Sequence, residues 1–73
     1  MNDTEFCNYM LTAAADRVLV SGEQVNRLLR LAGSNMDHTL PEGWWGTVDP
    51  SNVEWTVGQA QRKMKAGYFD RIG

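Results

Sequence analysis

Apolar residues recur along the chain with two different periods, and the change of period divides it into elements. Phe6, Tyr9, Met10, Ala13 and Ala14 repeat at helical spacing. Asp3 or Thr4 stands where a side-chain oxygen caps a first turn. Arg17, Val18, Leu19 and Val20 follow, and their β-branched members leave the end of this first helix open. A second helix is expected over residues 22–32. Ser21 with Gln24 three residues on matches a capping box, and Glu23 lies in the first turn, where the helix dipole favours acid. Val25, Leu28, Leu29 and Ala32 form one stripe, Glu23 and Arg27 an i,i+4 pair, and Gly33 stands at the stop.

Residues 34–43 are polar, with only Met36 and Leu40 to anchor them, and read as a loop. A hairpin is expected next. Trp45 and Val48 precede Asp49-Pro50-Ser51-Asn52, which suits a type I turn, and Val53, Trp55 and Val57 then alternate with Glu54 and Thr56 at the period of a strand. A third helix is expected to begin near Thr56 to Gly58 and run to Ala66, with Val57, Ala60 and Met64 as a narrow stripe and Gly67 as its stop. The aromatic tail from Tyr68 to Gly73 is expected to pack back. The sum is an α+β fold of about three short helices and one antiparallel β-hairpin, a single domain over residues 1–73.

Composition narrows the function. With 73 residues the chain is one domain that buries only about 60% of its unfolded surface. Seven basic residues against nine acidic give a net charge of −2, which argues against a dedicated nucleic-acid binder. At 42% hydrophobic and 22% charged, the chain has a globular composition. One cysteine and no Cys/His cluster exclude a disulfide framework and a zinc site, and fit a reducing cytoplasm. No secretory signal or membrane-spanning run is read, so a cytoplasmic location is expected, and a monomer is expected as well.

Few side chains suggest chemistry. His38, between Asp37 and Thr39, has no marked nucleophile nearby and reads as a solvated loop histidine rather than a general base. Cys7 reads as a small buried hydrophobe. Asn2-Asp3-Thr4 matches a glycosylation pattern that needs a secretory route to matter. Gln24, Asn26, Arg27 and Arg30 on the second helix invite a helix-turn-helix or winged-helix reading in which they reach base edges. Arg62, Lys63 and Lys65, with Arg71, form the one local positive excess, either a solvated helix face or a weak contact for an RNA or DNA backbone.

The aromatic residues carry the strongest signal. Trp44 and Trp45 lie in a glycine-bracketed loop, and each such ring buries roughly 150–250 Å². Neighbours on a strand point to opposite faces, so one ring is expected in the core and the other at a surface, where tryptophan is favoured as a binding anchor. Trp44, Trp45, Val53, Trp55, Arg62, Lys63 and Lys65 are therefore the expected partner-binding residues. No catalytic group, cofactor site or metal site is expected.

From Met1-Asn2-Asp3-Thr4-Glu5-Phe6 through Gly43-Trp44-Trp45-Gly46 to Tyr68-Phe69-Asp70-Arg71-Ile72-Gly73, the chain resembles the small RNA-polymerase-binding transcription regulators of lytic Xanthomonas phages. That resemblance implies a non-enzymatic protein that engages the β and β′ subunits of bacterial RNA polymerase. It implies inhibition of initiation by displacement of the sigma factor, and antitermination on elongating polymerase.

Overall fold

The computed structural model of the chain describes residues 1–33 and 40–65. Most of the expected loop, the expected helix stop at Ala66–Gly67 and the aromatic tail lie outside the described residues. The architecture is α+β, with three helices and a two-stranded antiparallel sheet among the described residues. In chain order they are α1 (Asp3–Ala15), β1 (Val20–Ser21), α2 (Gly22–Leu31), β2 (Trp45–Gly46) and α3 (Pro50–Lys65).

Helix α1 is capped by Asn2 rather than by Asp3 or Thr4. Its Oδ1 accepts from the Glu5 N–H at 2.8 Å, and Asp3 and Glu5 then fall in the first turn. At the other end the Val18 N–H donates to the Ala13 carbonyl at 2.9 Å and the Arg17 N–H to the Ala14 carbonyl at 3.3 Å. This is a Schellman stop with Arg17 at φ 59°, where glycine is usual. The left-handed conformation costs a non-glycine residue about 1–2 kcal/mol. Without the usual glycine, the stop had no sequence signature.

Helix α2 forms with the expected cap and stop, but Arg27 pairs with Asp3 of α1 rather than with Glu23. The Gln24 N–H donates to the Ser21 hydroxyl at 3.2 Å and the Ser21 N–H to the Gln24 side-chain oxygen at 3.0 Å, completing the capping box. Gly33 follows the helix at φ 79°, and a β-carbon there would run into the Lys63 side chain of α3.

Helix α3 corrects the hairpin. Residues 53–57 are helical, and the helix starts at Pro50 rather than near Thr56. The Asp49 carboxylate accepts from the Ser51 N–H at 2.8 Å, and the Val53 N–H donates to the Asp49 carbonyl at 3.0 Å. Pro50 thus takes the first helical position, where its missing N–H costs nothing. Val53, Val57, Ala60 and Met64 form one helical stripe, of which the first three are buried.

With that segment helical, β2 pairs with β1 instead, Val20 opposite Gly46 and Ser21 opposite Trp45. Asn26 holds the intervening chain in place. Its amide donates to the Leu40 carbonyl at 3.0 Å and its Oδ1 accepts from the Leu40 N–H at 2.8 Å. The Gly22 N–H donates to the Trp44 carbonyl at 2.8 Å. Gly22 permits this approach, because a β-carbon there would lie 3.0 Å from the Pro41 oxygen. Helix α3 packs against both α1 and α2, and Phe6, Met10, Val20, Leu28 and Val57 belong to the core.

Candidate protein-binding site

The short ribbon separates the two neighbouring tryptophans. Trp44 is half-buried against the core, and its ring covers Gly46, where a β-carbon would come within 2.7 Å of it. Trp45 is 63% exposed. The hydrogen bond from Gly22 to Trp44 fixes the alternation of the ladder, so the N–H and C=O of Trp45 point away from β1 toward the open edge of β2. Trp45 therefore offers a large ring and a pair of backbone hydrogen-bonding groups at one place. Among the described residues no strand pairs with this edge of β2, which is two residues long and so far shorter than the hairpin expected between Trp45 and Val57.

Trp45 lines a cleft of about 480 Å³ together with Met1, Phe6, Ser21, Glu23, Gln24, Arg27 and Arg30. A smaller hollow of about 170 Å³ also borders the ring, with Gly43, Trp44 and Glu23 on its sides. Arg27 makes its contacts within the chain. Its guanidinium pairs with the Asp3 carboxylate at 2.9 Å, donates to the Met1 carbonyl at 3.3 Å and lies over the Phe6 ring at 4.2 Å. Arg30 is exposed at the rim. Asp3 neutralises Arg27 and Glu23 adds a second acid to the lining, so Arg30 is the cation without a partner among the described residues beside the exposed Trp45, an arrangement that suits a partner surface offering carbonyls or a carboxylate.

The same contacts bear on the residues that suggested base reading. Gln24 is bound into the capping box, Asn26 into the Leu40 clamp and Arg27 into the pair with Asp3. Of the four, only Arg30 has no partner among the described residues. The helix-turn-helix pattern is thus occupied mostly by contacts that hold the fold.

The remaining expected partner-binding residues divide by burial. Val53 is 5% exposed and belongs to the core, because the strand that would have presented it is a helix. Trp55 is 66% exposed on the solvent side of α3. Arg62 and Lys65 are exposed in the last turns, where cations complement the helix dipole, and Lys63 is half-buried beside Gly33. Three further apolar residues are exposed that the sequence did not single out, Met1 in the Trp45 cleft and Val18 and Leu19 just before β1.

Little reactive chemistry accompanies these surfaces. Burial pushes the Cys7 thiol up from its ordinary value, the Asp3 charge adds to this and the Arg27 charge opposes it, so the thiol stays protonated at neutral pH. His38 lies outside the described residues. Among the described residues no group of three or more His, Cys, Asp or Glu is placed to hold a metal ion, and no helix is long and apolar enough to cross a membrane. No protein-family model, curated protein or solved structure matches this chain.

Proposed function

We propose that this chain is a non-enzymatic transcription regulator of phage type that binds bacterial RNA polymerase, on its β and β′ subunits, with Trp45 as the anchor. Binding inhibits initiation by displacing the sigma factor, and contact maintained during elongation promotes antitermination in the host cytoplasm. The identity of the partner rests on the resemblance in sequence. The observation that carries the binding mode is Trp45 itself, a ring 63% exposed on a ribbon whose neighbouring ring is held against the core.

A protein of this size cannot enclose a substrate, but a patch of roughly 800 Å² per partner makes a specific interface. Trp45, Met1 and Arg30 supply the centre of such a patch, and Arg27, paired with Asp3, belongs to the framework that holds it. The Trp45 backbone adds a pair of hydrogen bonds for an extended segment of the partner.

The test is binding of the purified chain to core polymerase and to holoenzyme, with sigma release as a second readout. Wild type is expected to bind core enzyme and release sigma, and Trp45→Ala to lose at least tenfold in affinity while staying folded. Salt-sensitive binding to duplex DNA without affinity for polymerase would overturn the proposal in favour of a DNA-binding regulator.

A further inference from the structure

The solvent face of α3 is self-complementary. On a helix with 100° per residue, Trp55 and Arg62 lie about 20° apart on one side and about 10.5 Å apart along the axis. The buried stripe of Val53, Val57 and Ala60 occupies the opposite side. Glu54 and Lys65 share one flank of the exposed face, also separated by only about 20°. Glu54, Arg62 and Lys65 are exposed and have no partner among the described residues. Between these groups lies Gly58, in the middle of a sixteen-residue helix. A β-carbon at Gly58 would meet nothing within 4 Å, so no packing within the chain calls for glycine there.

We infer that α3 pairs with α3 of a second copy of this chain, antiparallel about a twofold axis that passes between Gly58 and Gln59. That axis sets Trp55 of each copy against Arg62 of the other, an aromatic face beneath a guanidinium, twice. A twofold perpendicular to antiparallel helices brings like flanks together, so Glu54 of each copy faces Lys65 of the other. Those two are offset by about 3 Å along the axis, within reach of a lysine stem. Gly58 sits at the centre, where the absent side chain lets the two helices approach. The inference uses a different element from the Trp45 cleft and does not depend on the polymerase reading.

The area sets the strength. A face about 24 Å long and about 10 Å wide is well below the roughly 800 Å² per partner of a stable complex, so the pairing is weak and reversible. Sedimentation of the full chain from about 10 μM to about 2 mM covers that range. Wild type is expected to pass reversibly from monomer to dimer. Trp55→Ala and Arg62→Glu are expected to weaken dimerisation at least tenfold with unchanged helical circular dichroism. Glu54→Lys weakens it as well, and combining Glu54→Lys with Lys65→Glu restores it. A monomer across the whole range overturns the inference. So does a dimer that the Trp55 and Arg62 variants leave intact, or a charge exchange that fails to restore association.

Discussion

Helix α2 and the solvent face of α3 carry similar residues but use them in opposite ways. On α2, Gln24, Asn26 and Arg27 are each committed to a contact within the chain. On α3, Trp55, Glu54, Arg62 and Lys65 point to solvent. Polar side chains on a helix can serve as scaffold or as recognition surface, and composition does not distinguish the two. The partners of Asn26 and Arg27 lie 14 and 24 residues away in the chain, so only the fold reveals the commitment.

Substitutions on the two helices should therefore affect different observables. The largest stability loss is expected at Asn26→Ala, which leaves both the N–H and the C=O of half-buried Leu40 unpaired and costs about 1–3 kcal/mol. In a domain of this size each kcal/mol lowers the melting temperature by roughly 4–8 °C, which thermal unfolding reads directly. Arg27→Ala removes a half-exposed ion pair and a guanidinium–ring contact, so about 1 kcal/mol is expected after allowance for solvent screening. Ser21→Ala should cost about 1 kcal/mol through the capping box. Trp55→Ala should change stability by less than about 0.5 kcal/mol. At Gly58→Ala the sign reverses, with about 0.5–1 kcal/mol gained from helix propensity and no clash to offset it. If Trp55→Ala destabilised the monomer more than Asn26→Ala did, the contrast between the helices would fail.

A smaller effect follows from Cys7. Its folded value is raised, so its contribution to stability is present in full below the ordinary thiol range and is lost as pH rises through the folded value. Stability should thus fall above about pH 9, and Cys7→Ala should reduce that fall.

How far the sequence revealed this structure differs from element to element. The two ends of helix α2 were legible, because the Ser21–Gln24 box and Gly33 are local signals that the structure uses as read, whereas the pairing of Arg27 with Asp3 rather than Glu23 was not. The start of α3 was not. Asp49-Pro50-Ser51 serves equally as a turn and as the cap and first position of a helix. Val53 and Val57, four apart, satisfy both the strand and the helix period, and continuation of the stripe through Ala60 and Met64 decides for the helix. A strand of two residues cannot show alternation, so the pairing of β1 with β2 depends on the clamp at Leu40. At the candidate site, the alternation rule separated the neighbouring tryptophans but could not say which faced solvent. The contact of Trp44 with Gly46 assigns Trp45 to the surface.

The central claim is that Trp45 anchors a protein partner and that this partner is RNA polymerase. Its most direct test is the dissociation constant of the purified chain for core polymerase, measured for wild type and for Trp45→Ala at matched fold and stability. The account predicts specific binding by wild type and at least a tenfold loss in the variant. Equal binding by the two proteins, or no binding by wild type, would contradict it.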